Sequence, residues 1–261
     1  MALNDVAHGA LQRKLDLFDN DFARFAVRGV LAGVYLTLAT GFAGMAGSAV
    51  EAHAKGIGSL VFAFLFGIGL FAIIVLNGEL ATGNMMFGSY GAIKKQASWG
   101  KALIFIVTTT LLNLVGCVVI AYYLSHTAKF AGMTDTNMIS TITEAKFHKS
   151  AGGAFLEGIG ANFVVNMAIV GAAAAKDFIS KFVTIVSFLA VFVGLGLEHV
   201  IANFSLMSIA FFASDPLPAS MTVGAVATNW AMVWLGNFVG GGLVMGGTYA
   251  WLNKTKTSYI D

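Results

Sequence analysis

Hydrophobic positions in this chain run together in stretches of membrane length, separated by short polar segments. A membrane-crossing helix needs about 20 mostly apolar residues. Six stretches meet that requirement: Gly29–Val50, Ile57–Met86, Ala102–Ser125, Ala154–Ala175, Phe182–Ala213 and Met221–Leu252. The pattern therefore predicts an all-α integral membrane protein with six transmembrane helices.

Two of these stretches are longer than one crossing requires and carry polar residues at their centres. The second contains Asn77-Gly78-Glu79 and then Asn84, and the fifth contains Glu198-His199 and then Asn203. Non-helical backbone is tolerated at membrane depth only where it is buried in protein or lines a cavity. We therefore predict two interrupted helices, and we expect a solute pathway beside the interruptions.

The two halves of the chain resemble each other in the positions of their polar residues. Three pairs recur, the first two 119 residues apart and the third 124: Glu79 and Glu198, Asn84 and Asn203, Asn113 and Asn237. Each half has three predicted crossings, with the interrupted one in the middle. An odd number of crossings turns the second half over, so we predict an inverted repeat within a pore domain of residues 28–253, with repeats of about 28–125 and 150–253.

The segments that flank the pore domain are more polar. Residues 1–27 are predicted to form an amphipathic helix at the cytoplasmic surface, because apolar residues recur at helical spacing over Ala10–Phe25. Residues 254–261 are predicted to be a cytoplasmic tail. In the predicted topology, eleven of the fifteen Lys and Arg residues share the side of the termini. The positive-inside rule then places both termini in the cytoplasm of a multi-pass inner (plasma) membrane protein.

Composition supports a membrane environment and narrows the possible functions. Hydrophobic residues make up 57% of the chain and charged residues 11%, with a mean hydropathy of +0.81. A soluble domain carries roughly a quarter charged residues. The net charge of +2 gives no indication of a nucleic-acid partner, and the single cysteine, Cys117, allows neither an internal disulfide nor a cysteine metal site. We expect no metal, no cofactor and no enzymatic activity.

Four motifs carry a resemblance to a known family: GLEHVIAN at 196–203, ELATGN at 79–84, GNFVGGGL at 236–243, and Lys146 followed sixteen residues later by Asn162. With these motifs, the chain from Arg28 to about Leu252 resembles the formate/nitrite transporter family. The resemblance implies an aquaporin-like protomer in a lipid-embedded homopentamer, with one pore per protomer. It also implies passage of a small monovalent anion or its acid. Formate is the first expectation, and nitrite, hydrosulfide, lactate and acetate stay open.

The expected pathway residues are His199, Thr82, Lys146, Asn162 and Asn203. An ionisable group at membrane depth is costly and usually functional, so His199 is expected to meet the anion. The Thr82 hydroxyl can donate to His199 or to an anion, although such hydroxyls often bond to their own helix. By resemblance, Lys146 attracts anions in the outer vestibule. Asn162 and Asn203 either line the pore or brace the broken helices.

Other residues at the interruptions have expected structural roles. Glu79, Glu198 and Asn84 are expected to stabilise the helix breaks, with the two carboxylates accepting hydrogen bonds from freed backbone N–H groups. The resemblance also implies apolar constrictions at five positions: Phe66, Phe192, Leu70, Ala81 and Leu197. Ala81 and Leu197 stand where some members carry Phe, which predicts a somewhat wider pore.

These features predict proton-coupled passage, because a bare anion pays a far larger desolvation cost than its neutral acid in an apolar constriction. A neutral-solute channel of the water or glycerol type is the main alternative, but its paired Asn-Pro-Ala motifs do not occur, and the only prolines are Pro216 and Pro218. A membrane-embedded metalloenzyme would need several convergent His or Asp residues, and His199 is the only histidine predicted within the membrane.

Overall fold

The computed structural model describes residues 3–257, without the side chains of residues 3–6. Residues 258–261 of the predicted tail and the first two residues of the predicted surface helix therefore lie outside the described residues. Over the described range the chain is helical, with no strand. Its α-helices are α1 Leu3–Asn20, α2 Phe22–Glu51, α3 Ile57–Val75, α4 Ala81–Ile93, α5 Trp99–Ser125, α6 Met138–Phe147, α7 Ala151–Ala174, α8 Phe178–Gly194, α9 Val200–Ala213, α10 Val223–Asn237 and α11 Gly247–Leu252. A π-helical segment, Phe238–Gly246, joins the last two.

Four of these helices, α2, α3, α5 and α7, are long and apolar enough to cross a membrane individually. The chain leaves helical geometry at both polar interruptions, between α3 and α4 and between α8 and α9. The last apolar stretch is helical from Val223 to Leu252, and its middle part, Phe238–Gly246, is a π-helix. Among the helices that flank the two interruptions, α3 alone is long enough to cross by itself, whereas α4, α8 and α9 are shorter than one crossing requires.

The two interruptions begin with the same turn. Two residues after α3 ends, Asn77 adopts φ 55°, and two residues after α8 ends, Gly196 adopts φ 66°. The left-handed conformation at this position is a common way to end a helix. The closing hydrogen bonds also correspond, from Gly78 N to Ile73 O and from Leu197 N to Phe192 O. The two halves thus share a local conformation as well as a sequence pattern.

The N-terminal helix is shorter than the predicted 1–27 segment. It ends at Asn20, and the Asp21 carboxylate caps the next helix by accepting a hydrogen bond from Arg24 N. An aspartate at this position satisfies a free N–H and starts a new helix. The apolar face of α1 is buried through Leu11 and Leu15, so the helix packs on the bundle and does not lie free at its surface.

Close helix packing recurs three residues after Asn113 and three residues after Asn237. A methyl group added to Gly116 would lie 2.0 Å from the carbonyl oxygen of Val30, and one added to Gly240 would lie 2.0 Å from that of Ile159. Only glycine permits backbones to approach so closely, as at many helix contacts in membranes. These two contacts hold α5 against α2 and the π segment against α7.

Candidate functional site

The first helix interruption is held by the side chain of Asn113 on α5. Its Oδ1 atom accepts a hydrogen bond from Ala81 N at 2.9 Å, and its Nδ2 atom donates to Glu79 O and to Gly29 O, each at 2.8 Å. All of these groups are buried, where an unpaired backbone group would cost free energy. One amide therefore satisfies two backbone groups at the break, Ala81 N and Glu79 O, and ties them to Gly29 O on α2.

The second interruption is held in the same way by Asn237 on α10. Its Oδ1 atom accepts from Val200 N at 2.9 Å, and its Nδ2 atom donates to Glu198 O at 2.9 Å and to Gly158 O at 2.8 Å. The sequence predicts that the two glutamates accept from the freed N–H groups, whereas the structure pairs these groups with asparagine oxygens. The spacing of 124 residues between Asn113 and Asn237 was the signal for this role.

Each glutamate instead receives donors from a lysine and an asparagine side chain. Glu79 accepts from Lys14 Nζ at 2.5 Å and from Asn84 Nδ2 at 3.1 Å. The same Asn84 amide also donates to Thr109 Oγ1 at 3.2 Å. Lys14 lies on α1, so this ion pair fastens the N-terminal helix to the first interruption.

Glu198 has one more lysine partner than Glu79. It accepts from Lys146 Nζ at 2.9 Å, Lys149 Nζ at 2.8 Å and Asn203 Nδ2 at 2.6 Å, and the Asn203 amide donates onward to Asn229 Oδ1 at 2.8 Å. Glu198 has no solvent exposure, and buried carboxylates are stable only when paired in this way.

The two lysines of this cluster differ in their electrostatic environment. Burial lowers the pKa of Lys146 below its usual value, and attraction to Glu198 offsets only part of this effect. Burial also opposes charge on Lys149, but the Glu198 and Glu157 carboxylates raise its pKa above the usual value. Lys146 is thus an enclosed partner of Glu198, and its expected role in attracting anions to an outer vestibule stays a prediction.

His199 and Thr82 meet between the two interruptions. His199 Nε2 and Thr82 Oγ1 are 2.8 Å apart, although the residues are 117 positions apart in sequence. The other ring nitrogen, Nδ1, accepts a hydrogen bond from Ala202 N at 3.1 Å. Because Nδ1 is an acceptor, this hydrogen-bond network assigns the proton of neutral imidazole to Nε2, which donates to Thr82. The hydroxyl hydrogen of Thr82 is then left to donate to another acceptor.

Thr82 is also held through its backbone by an asparagine pair on α7. Asn162 Nδ2 donates to Thr82 O at 3.1 Å and to Asn237 O at 2.8 Å. Asn166 Nδ2 donates to Asn162 O at 2.8 Å and to Thr82 O at 3.4 Å. The Asn162 amide, like that of Asn203, braces the helix breaks in this structure. The sequence does not distinguish Asn166, because its position within an apolar helix gives no separate signal.

A small apolar cavity adjoins the histidine. About 10 Å³ is open to the centre of a water molecule, roughly the room that one water needs. The Phe192 ring lies 5.9 Å from the Phe66 ring and 5.8 Å from the His199 ring, measured between centroids. The lining residues are Leu36, Phe66, Leu70, Leu80, Val165, Leu189, Phe192 and His199. Three predicted constriction residues are therefore grouped here, with four apolar neighbours that the sequence did not distinguish from packing residues.

The other two predicted constriction residues do not line this cavity. Ala81 is fully buried as the first residue of α4, with its N–H bonded to Asn113. The side chain of Leu197 packs next to Gly160, where an added methyl group would lie 3.4 Å from it. The expected role of these two residues as constriction residues therefore stays a prediction.

Two larger cavities lie near the two glutamate clusters. One, of about 550 Å³, is lined by Lys14 and Glu79 among others, and it shares Leu70 and Leu80 with the apolar cavity. The other, of about 200 Å³, is lined by Lys146, Lys149 and Asn229 among others, and we call it the outer cavity. Basic groups thus line one cavity beside each interruption, whereas the small cavity beside His199 is apolar.

The family model described as "Formate/nitrite transporter" matches residues 4–251. The chain belongs to the formate/nitrite transporter family. This confirms the resemblance noted from the sequence motifs. It also makes the apolar helices those of a multi-pass membrane protein in a family of transporters and channels.

Individual members of the formate/nitrite transporter family are similar to this chain at about 30% identity. A formate channel, BtFdhC of Bacillus thuringiensis, is 31% identical over 71% of this chain and 70% of its own length. The nitrite transporter NirC of Escherichia coli (strain K12) is 30% identical over 90% of this chain and 85% of its own length.

Solved structures of related channels share the fold. An FNT family ion channel superposes with a TM-score of 0.86 at 29% identity, covering 95% of this chain and 97% of that chain. A pentameric formate channel with formate bound superposes with a TM-score of 0.75 at 22% identity, covering 88% and 96%. The second likeness concerns the fold alone.

Proposed function

We propose that this protein passes small monovalent anions, formate first, across the membrane together with a proton. The observation that carries the proposal is the Thr82–His199 hydrogen bond beside an apolar cavity, with lysine-lined cavities near both glutamate clusters. The names of relatives support an anionic substrate, since one is a formate channel and another a nitrite transporter. Nitrite, hydrosulfide, lactate and acetate remain alternative substrates.

The proposed mechanism follows from the cost of moving charge into apolar surroundings. A formate ion entering from either side first meets a cavity with basic groups, where its charge is favoured. Between Phe66 and Phe192 the bare ion would lose its hydration without compensation, whereas formic acid pays far less. Falling polarity raises the proton affinity of the carboxylate. The carboxylate takes up a proton that His199, assisted by Thr82, supplies and then regains from the water of the cavity through which the ion entered. The Thr82 hydroxyl, positioned by His199, supplies a hydrogen bond where the charge is least tolerated.

The proposed architecture has six crossings, two of them interrupted, in an aquaporin-like inverted repeat. The corresponding turns at Asn77 and Gly196 and the corresponding amides of Asn113 and Asn237 support the repeat. A homopentamer embedded in lipid is the proposed assembly, because a structural neighbour is a pentameric channel. Each protomer would then carry its own pathway.

Transport in proteoliposomes tests the proposed function. We expect rapid swelling in formate and little in glycerol, with formate uptake faster when the external medium is more acidic. Nitrite, hydrosulfide and lactate compared at two pH values would rank the substrates. Equal permeability to formate and glycerol would contradict the proposal and favour a neutral-solute channel.

The proposed orientation can be tested by cysteine labelling. Lys256 and Lys129 are exposed, and Cys117 is fully buried, so the native thiol should not interfere. A membrane-impermeant thiol reagent applied to intact cells should label Lys129→Cys and leave Lys256→Cys unlabelled, because the Lys and Arg asymmetry places the C-terminal side in the cytoplasm. The reverse pattern would overturn the orientation.

A further inference from the structure

The outer cavity has features of a binding site that the pathway itself does not explain. It holds about 200 Å³ and is lined by Lys146, Lys149, Thr228 and Asn229 among others. No carboxylate belongs to its lining in the described part of the chain, although Glu157 and Glu198 bond to Lys149 from outside that lining. The groups that face the cavity are therefore suited to an acceptor of hydrogen bonds.

Asn229 has an unused hydrogen-bond donor in the wall of this cavity. Its side chain is 5% exposed, and its Oδ1 atom accepts from Asn203, but its Nδ2 atom has no partner among the described residues. A buried donor without an acceptor is costly, and such groups in a native protein call for an explanation. An acceptor that enters the outer cavity would remove that cost.

In the first half of the chain, the residue that corresponds to Asn229 accepts a hydrogen bond without leaving a donor unpaired. There the asparagine of the glutamate cluster, Asn84, donates to Thr109 Oγ1, and the Thr109 hydroxyl donates to Phe105 O within its own helix at 2.7 Å. A threonine is thus sufficient to accept from the asparagine. The hydrogen bond from Asn203 therefore requires only the oxygen of Asn229, and the Nδ2 donor of Asn229 is not needed for this link.

Lys149 can be released from its partners more readily than Lys146. Lys149 Nζ bonds to Glu157, to Glu198 and to Gly196 O, and its side chain is 25% exposed. Glu198 would still be paired with Lys146 and Asn203 if Lys149 turned away. Lys146, by contrast, is enclosed and donates to Glu198. Lys149 is thus the cation able to move towards an anion in the cavity.

We propose that the outer cavity binds a small carboxylate or other monovalent oxyanion before it enters the pathway, with Lys149 supplying the charge and the Asn229 amide a hydrogen bond. This inference rests on the proposed function, because it names the recruiting site of the same solute. Glu157 and Glu198 weaken the attraction between Lys149 and an anion, so the affinity of the outer cavity for that anion is low. Weak binding suits a transport site, which must also release its solute.

A cysteine at Thr228 allows binding to be measured without transport. Thr228 is exposed and lines the outer cavity, whereas Cys117 is buried and stays unreactive. The purified full-length Thr228→Cys protein would be labelled with an anionic sulfonatoethyl methanethiosulfonate and with its cationic trimethylammonium analogue. We expect the anionic reagent to react about tenfold faster. Formate should slow its reaction when it replaces gluconate at constant ionic strength.

Two substitutions in the Thr228→Cys background separate the proposed roles. Asn229→Thr keeps an acceptor for Asn203 but removes the free amide, as Thr109 does in the first half. It should raise the formate concentration needed for protection about tenfold and keep the preference for the anionic reagent. Lys149→Gln should abolish that preference. Lys129→Gln, at an exposed position outside the cavity, is the control and should change neither quantity.

The outcomes distinguish this inference from the proposed function. Absence of formate protection in the Thr228→Cys protein, or equal protection after Asn229→Thr, would overturn the binding site even if formate is transported. Protection that depends on Asn229 in a protein that transports no formate would support the site and contradict the proposed function. If Asn229→Thr lowers the melting temperature sharply, Asn229→Ser provides the same test with a smaller side chain.

Discussion

Replacing His199 with asparagine should abolish formate uptake driven by an inward proton gradient and leave the folded, assembled protein intact. Asparagine can still cap α9 and donate to Thr82, but it cannot exchange a proton at neutral pH. The imidazole also packs beside Phe192, so the smaller side chain opens the apolar cavity slightly. Bare formate should then pass at a rate that depends little on pH. Uptake of labelled formate by proteoliposomes at pH 5.5 and pH 7.5 would measure the change.

The control for this variant is His126→Asn, because His126 is exposed at the end of α5 and does not line the apolar cavity. It should transport formate with the pH dependence of the unmodified protein. If His199→Asn instead retains that pH dependence, the histidine acts only as a helix cap, and the proton-coupled mechanism is wrong.

Replacing Asn237 with alanine should destabilise the protein more than any single change on the pathway surface. The substitution leaves Val200 N without an acceptor and Glu198 O without a donor, and it removes the bond that ties the break to Gly158 O on α7. Each unsatisfied buried group costs about 1–3 kcal/mol, so the melting temperature in detergent should fall by about 10 °C or more. Size-exclusion chromatography should show loss of the homogeneous assembled particle.

Two companion variants sharpen this test. Asn237→Asp has nearly the same shape, yet it should be almost as harmful, because a carboxylate oxygen replaces the donor that faces two carbonyl groups. Asn20→Ala removes an exposed amide that bonds only to Asp16 in the described structure, and it should leave the melting temperature unchanged. A stable Asn237→Asp protein would show that water fills the break, and the role assigned to the amide would fail.

The sequence predicted the helix breaks well because their polar residues interrupt long apolar stretches. Asn77 and Gly196 lie inside stretches that otherwise read as continuous membrane helices, and polar backbone cannot remain there without partners. The meeting of Thr82 with His199 was also accessible, since the repeat places both residues beside a break. Membership of the formate/nitrite transporter family followed from motifs at the same positions.

Several features could not be predicted, because they depend on which side chain reaches which group in three dimensions. Spacing alone identified Asn113 and Asn237 as a pair, but it could not decide whether they or the glutamates accept the freed N–H groups. Lys149 differs from Lys146 in its contacts and in its exposure, which the spacing of residues along the chain does not reveal. The first helix ends at Asn20 because Asp21 caps the next helix. The apolar periodicity continues across this position, so it does not indicate where one helix ends and the next begins.

The placement of α4 and α9 has a consequence for ions of the opposite sign. Both helices begin at an interruption, and the contact between Thr82 and His199 brings their first turns together. The start of a helix carries a partial positive charge of about half an elementary charge. Sodium, potassium or hydronium ions would therefore be repelled from both directions at the place where water is scarcest. The resting membrane voltage can thus be maintained while the protein conducts its solute.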